Sequence, residues 1–198
     1  MNQYEDHRKR KTKNYLLEAL ISLMRQKNVH LITVKELCQE AQINRSTFYA
    51  HYEDLPDFIN KVMSEMAAGL MPEAKDYRNN HILINKEAAR SFYCRCFIHL
   101  RDNREFFQLM MGNNGLPEFT ELLDSQSVEW FKDLIQTAKP EICDNVEQSV
   151  LLNYIIAAHT GVMKYYLESK TIYSPEYMTD QLLTLTFFGP SSLLKLDC

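Results

Sequence analysis

The chain has little material for turns: five glycines and six prolines among 198 residues. Runs of β-branched residues are also scarce. Long amphipathic segments dominate instead, and they predict an all-α fold. No apolar run reaches the roughly 20 residues that span a bilayer, and Met1 to Lys13 is too polar for a secretory signal. No membrane association is expected, and the expected location is cytoplasmic. The five cysteines (Cys38, Cys94, Cys96, Cys143 and Cys198) are odd in number and scattered. Cys94 and Cys96 fall two apart in a helical pattern, roughly 200° around the axis, so they cannot share a metal from one helix. They are expected to be structural thiols in a reducing compartment. The six histidines are dispersed, with no His-x-x-x-His or Glu-x-x-His pair, and no glycine-rich phosphate loop occurs. An enzyme is therefore disfavoured, and no cofactor or metal is expected.

What is present is unevenly distributed. The net charge of −4 divides into +3 over residues 1–53 and −7 over residues 54–198. A basic end on an acidic body suits a protein that meets phosphate with one end only.

The most informative stretch is Thr33 to Tyr52. Thr33 is a helix N-cap, and Val34, Leu37, Cys38 and Ala41 mark one buried face of a helix over about 34–41. After a break at Gln42-Ile43, Asn44 caps a second short helix. Phe48 and Tyr52 point inward, and Arg45, Ser46, Thr47, Tyr49 and His51 supply a small, polar, basic exterior. Two caps eleven residues apart around a buried Ile form the layout of a DNA-reading helix-turn-helix.

Other helices are expected around it. Met1 to Arg8 reads as a flexible arm, followed by a helix over Lys9 to Gln26 with Leu16, Leu17, Leu20, Leu23 and Met24 inward. The basic cluster Arg8 to Lys11, with Lys13, opposes the helix dipole there; it is either a phosphate contact or a solvated tail. Asn28 is a candidate for a left-handed C-terminal cap. A fourth helix starts after Asp54 with Pro56 in its first turn and ends near Met71-Pro72. Glu73 to Asn85 is a polar connection. Further helices are expected at about Lys86 to Arg101, Asn103 to Met111, Pro117 to Thr137, Asp144 to Ser169 and Pro175 to Phe188. Breaks are expected at Gly112 to Gly115, Lys139-Pro140 and Ser174-Pro175.

Residues Lys9 to Ile59 resemble the DNA-binding domain of the TetR family of bacterial transcription regulators. Thr33, Leu37, Ala41, Ile43, Ser46, Thr47, Phe48, Tyr49 and Tyr52 take the places of that family's pattern. Two positions depart from it: Gln42 replaces the turn glycine, and Leu55-Pro56 replaces a phosphate-binding Lys at the start of the fourth helix. The stretch Tyr154 to Glu168 with Ser174-Pro175-Glu176 resembles the dimerisation helices of a Firmicutes-type branch, which includes regulators of dihydroxyacetone kinase operons.

The resemblance implies a three-helix helix-turn-helix domain (1–53) joined to a larger helical effector-binding and dimerisation domain (54–198). It also implies a homodimer on a palindromic double-stranded DNA operator, most simply as a repressor. Arg45 suits guanine O6 and N7. Ser46 and Thr47 allow close approach to the groove floor. Thr33, Lys35, Tyr49 and His51 suit phosphate oxygens, with Lys9 and Arg10 beside them and Asn44 at the helix start. For Tyr49 a core position, and for His51 a solvated one, are the competing readings. Leu151 to Leu167 with Met178 to Phe188 is the expected dimer surface; burial within one subunit would give the same pattern.

The aromatic and Met-rich region between these parts reads as core by itself. The resemblance implies a cavity there for an unknown small-molecule effector, with Phe92, Phe97, His99, Phe107, Met110, Met111, Trp130 and His159 around it and Arg101 and Arg104 as further polar candidates. A scaffold that activates transcription, or works through a protein partner with weak DNA binding of its own, is the alternative that Gln42 and Leu55 motivate.

Overall fold

The computed structural model describes residues 3–71, 85–138 and 146–193. Among the described residues the chain is all-α. Its helices are α1 (Gln3–Met24), a 3-10 turn (Val29–Leu31), α2 (Val34–Glu40), α3 (Arg45–Tyr49), α4 (Leu55–Leu70), α5 (Lys86–Asp102), α6 (Arg104–Met110), α7 (Pro117–Ala138), α8 (Gln148–Glu168) and α9 (Pro175–Leu193). The expected helices are all found, with shifted ends. The expected connection lies outside the described residues except for Asn85, whose side chain caps α5 by accepting from Glu87 N at 3.0 Å. The expected break at Lys139-Pro140 and the expected helix start at Asp144 also lie outside them. In α9 the backbone breaks at Gly189 (φ 74°), directly after the expected end at Phe188.

Two ends differ from expectation for physical reasons. Helix α1 begins at Gln3 rather than Lys9. Lys9, Arg10, Lys11 and Lys13 then lie in its second and third turns, away from the N-terminal end of the dipole that they would oppose. Asn28 is not a left-handed cap. Its backbone is extended (φ −61°, ψ 142°), and its side chain instead caps the 3-10 turn by accepting from His30 N at 3.0 Å. The end of α1 is closed by Asn114 Nδ2, which donates to Met24 O at 2.9 Å.

The chain divides into two compact units, one of residues 1–66 with 105–121 and one of 67–104 with 122–198. The units thus do not divide at residue 53, because 54–66 and 105–121 pack with the N-terminal segment. In the first unit Leu16, Leu20, Met24, Leu37, Phe48 and Phe58 are fully buried. In the same unit Phe106 stands edge-on to both Phe107 and Phe119, with the three ring centroids 5.6–5.8 Å apart. The Arg25 guanidinium holds Glu105 through two donors, and Lys13 pairs with Glu65.

The second unit is organised by α5, which packs against both α8 and α9. The Arg90 guanidinium donates to both Asp180 carboxylate oxygens at 3.0 and 3.1 Å; at this exposure the pair contributes about 0–1 kcal/mol. Arg104 closes the C-terminus of α8, donating to Leu167 O and Ser169 O, each at 2.8 Å. Carbonyls left unpaired at a helix end are thereby satisfied by a cation that the dipole also favours. Gly69 is needed for a close approach within this unit: a Cβ there would lie 2.3 Å from His99 Cε1.

The turn between α2 and α3 is a Schellman motif. Ile43 N donates to Cys38 O at 3.0 Å and Gln42 N to Gln39 O at 3.2 Å, with Gln42 in the left-handed region at φ 55°. A side chain there costs about 1–2 kcal/mol, partly offset by the lower unfolded-state entropy of a non-glycine residue. Gln42→Gly is therefore expected to raise stability by about 1 kcal/mol. Urea unfolding should show a higher midpoint at unchanged slope; a lower midpoint contradicts the strain assignment.

Candidate nucleic-acid interface and ligand cavity

Helix α3 has five residues, too few to be stable alone, so its position is set by its cap and its anchor. Asn44 Oδ1 accepts from Ser46 N at 3.0 Å. Phe48 is fully buried, its ring 5.4 Å from Tyr52 and 6.1 Å from Phe58. Tyr52 is half-buried and stands edge-on to Phe58 at 4.9 Å. With the anchor inward, Arg45 and Ser46 are exposed and Thr47 and His51 half-buried. Tyr49 is 56% exposed, so it is not a core aromatic. Lys35 and Arg45 are exposed and form no ion pair among the described residues, and Lys9 and Arg10 are exposed on α1.

Thr33 is employed differently from the other candidates. Its hydroxyl accepts from Glu36 N at 3.3 Å and donates to Glu36 Oε2 at 2.8 Å, while Thr33 N donates to the same carboxylate at 3.0 Å. This is a capping box. Lys27 donates to Glu36 at 2.7 Å. The Lys27 bond, followed by those from Thr33, lowers the Glu36 carboxyl to about 2. Both Thr33 donors are thus engaged with Glu36, and Thr33 builds α2 rather than offering a hydrogen to phosphate. The Thr-x-x-Glu signal for Glu36 stands in the sequence.

Leu55, in place of the family's Lys, is half-buried. It lines an apolar groove of about 510 Å³ in the first unit with Val34, Pro56 and Ile59, and with Val29 and Leu116 from segments distant in sequence.

The residues expected around an effector do not converge. Phe107, Met110 and Met111 belong to the first unit, where Phe107 and Met110 are buried in the core. In the second unit Phe97 packs edge-on to Tyr166 at 5.2 Å. His99 faces Gly69 and meets Asn103 Nδ2 at 3.2 Å. Arg104 caps α8, and Arg101 pairs with Asp102 at 2.8 Å. Two of the expected residues do meet. Phe92 and His159 line a cavity of about 30 Å³ together with Tyr93, Phe131, Cys96 and Met163, and Trp130 stacks on Phe92 at 4.4 Å. The imidazole of His159 is 7% exposed and lies parallel to Phe131 at 5.8 Å. Its Nε2 is 3.1 Å from Thr186 Oγ1 and 3.4 Å from Tyr93 OH, and burial lowers its pKa to about 4. Cys96, on the same wall, donates to Leu70 O at 3.2 Å, and burial pushes its thiol up to about 12. Thr186 is the partner that sequence patterns missed; Tyr93 and Phe131 belong to the same aromatic region as Phe92, and apolar periodicity marks them as core without a signal for a shared histidine.

A capped short helix with a buried aromatic anchor and an exposed polar face defines a helix-turn-helix protein. A family profile described as the transcriptional regulator C-terminal region matches residues 87–187, and the chain belongs to the TetR family of transcriptional regulators. An uncharacterised HTH-type transcriptional regulator, YxbF of Bacillus subtilis (strain 168), is 24% identical over 170 residues, covering 85% of this chain and 43% of the relative. The HTH-type dhaKLM operon transcriptional activator DhaS of Lactococcus lactis subsp. lactis (strain IL1403) is 24% identical over 107 residues, 52% of this chain and 57% of the relative. The chain therefore spans about half the length of these curated relatives. The crystal structure of a TetR transcriptional regulator from Streptococcus agalactiae 2603V shares the fold, with a TM-score of 0.63 and 19% identity over 92% of this chain and 97% of the other. No helix among the described residues is long and apolar enough to cross a membrane.

Buried and neutral, His159 makes stability acid-sensitive. The unfolded histidine takes a proton near 6.5, whereas the folded one does so at about 4, so the unfolded state binds more protons between these values. Its contribution is complete above about pH 6.5 and declines as pH falls toward 4, by up to about 1.4 kcal/mol per pH unit. Unfolding curves measured from pH 7 to 4 should show this slope, and His159→Gln should flatten it; equal slopes for both proteins contradict it.

Proposed function

We propose that this regulator binds double-stranded DNA as a homodimer, reading each half of a palindromic operator with α3, and that a small effector in the second unit controls operator affinity. DNA reading is assigned to residues 1–53, and effector binding and dimerisation to the helical remainder. The observation that carries the reading is the exposed Arg45, Ser46 and Tyr49 face above the buried Phe48. Arg45 reads a base edge, while Lys35, Tyr49, His51, Lys9 and Arg10 meet phosphate, and Ser46 and Thr47 let the helix approach the groove floor. Thr33 and Asn44 act by holding α2 and α3 in place. The role is regulatory rather than enzymatic, and the location cytoplasmic.

Dimerisation is supported by an apolar face that the second unit leaves uncovered. Tyr154 is 58% exposed and Phe188 62%, with Val150, Leu185 and Phe187 also exposed. Tyr154, Ile155, Ala158, Val162, Leu182 and Leu185 line a groove of about 300 Å³ on α8 and α9. Gly161 lies in the same stretch of α8, and a Cβ there would meet nothing within 4 Å. Its small size thus serves no contact among the described residues, which fits close approach of a second copy's helices. Activation rather than repression is the second reading. It is favoured by the relative named as an operon activator and by Leu55, which removes one phosphate anchor.

Fluorescence anisotropy on DNA upstream of the gene, across a salt series, tests the main reading. Specific binding should weaken steeply with salt. Arg45→Ala should cost about 1–3 kcal/mol and relax preference at one base pair, whereas Arg10→Ala should weaken all sequences alike. Lack of specific retardation at low salt would sink intrinsic DNA reading and favour a partner-dependent scaffold. Tyr154→Glu with Phe188→Glu should convert dimer to monomer in sedimentation equilibrium; a dimer that persists excludes this face.

A further inference from the structure

His159, on the wall of this cavity, has one ring nitrogen without a partner among the described residues, and its neighbours assign its tautomer. Thr186 Oγ1 donates its single hydrogen to Leu182 O at 2.7 Å. With that hydrogen on Leu182 O, Thr186 can only accept from His159 Nε2, 3.1 Å away; Tyr93 OH lies on the same nitrogen at the longer distance of 3.4 Å, and the shorter contact assigns the proton to Nε2. The opposite nitrogen, Nδ1, is then a bare lone pair. It is buried and has no hydrogen-bond partner among the described residues. A buried acceptor without a donor costs about 1–3 kcal/mol, and such a group calls for an occupant that satisfies it.

The cavity's chemistry narrows that occupant. Its walls come from α5, α7 and α8 and the end of α4, and no Asp, Glu, Lys or Arg is among the lining residues. A charged ligand would lose its hydration with nothing to compensate it. A volume of about 30 Å³ admits only a few atoms. Nδ1 is sealed from water as the cavity stands. Seating an atom on it requires the wall to give way, and that wall includes the unbranched thioether side chains of Met71 and Met163.

We propose that this cavity is a binding site for a small uncharged molecule bearing a hydroxyl or similar donor, whose hydrogen is accepted by His159 Nδ1 while its carbon skeleton packs against Phe92 and Phe131. This rests on the effector reading above and supplies its chemical class. His159 also lines the groove on α8 and α9, so an occupant on Nδ1 bears on a side chain that forms part of the proposed dimer face.

Three probes of equal heavy-atom count and similar shape separate the possibilities: propan-2-ol, which donates; acetone, which only accepts; and acetate, which is charged. The full chain, labelled with ¹⁵N-histidine, is titrated with each at pH 7 while the His159 Nδ1 resonance is followed. Propan-2-ol should move that resonance saturably toward the hydrogen-bonded position. Acetone should bind at least tenfold more weakly, and acetate should produce no saturable shift. His159→Phe should abolish propan-2-ol binding measured by calorimetry, and Phe92→Ala, which leaves the imidazole in place, should weaken it. Acetone binding as well as propan-2-ol overturns the donor requirement; acetate binding overturns the uncharged class; no saturable shift with any probe overturns the site. Operator affinity is measured separately. If propan-2-ol binds and leaves that affinity unchanged, the effector reading fails while the ligand class stands.

Discussion

Burial of the Phe48 ring is the constraint on which the helix-turn-helix depends. A helix of five residues has no stability of its own, and α3 exists because Phe48 is sealed against Tyr52 and Phe58 while Asn44 closes its first turn. Once Phe48 points inward, helical spacing turns Ser46 to the opposite side and Tyr49 to the flank, while Arg45 is exposed as the first residue of the helix. The polar face is thus a geometric consequence of one buried aromatic. The α2–α3 turn completes the arrangement, with Gln42 holding a backbone conformation that glycine adopts more cheaply. That strain is local, and the two Schellman bonds and the burial on either side outweigh it.

The second unit shows a different balance. Its polar groups are mostly committed to structure: Arg104 to the end of α8, Arg90 to Asp180, His99 to its seat against Gly69. Against that background the unpaired Nδ1 of His159 is distinctive, because nearby polar groups such as Cys96 Sγ and Thr186 Oγ1 are satisfied. Burial keeps the imidazole neutral, and the hydrogen bond to Thr186 selects its tautomer.

The head was legible in the sequence because its signals are local. Thr33, Asn44 and Asp54 mark helix starts within a few residues of the bonds they make, and Phe48 follows from helical spacing. Where local signals were absent, expectation failed. Nothing near Lys9 says that α1 starts at Gln3, and nothing near Asn28 shows that Asn114, 86 positions further on, closes the end of α1. The cavity was the least legible part. Phe107 and Met110 look like Phe92 in the sequence, yet the chain carries them into the other unit's core.

What the sequence determined by itself is the all-α class, the positions of the helices and the identity of the reading head. Caps, periodicity and the scarcity of turn residues act over a few residues and survive any arrangement of the rest. Only the tertiary structure decided that Tyr49 faces solvent, that Thr33 is committed to Glu36, and that His159 alone of the expected polar residues meets Phe92 at a cavity. Those outcomes depend on which distant side chains arrive at the same place, and apolar periodicity encodes burial without naming the partner.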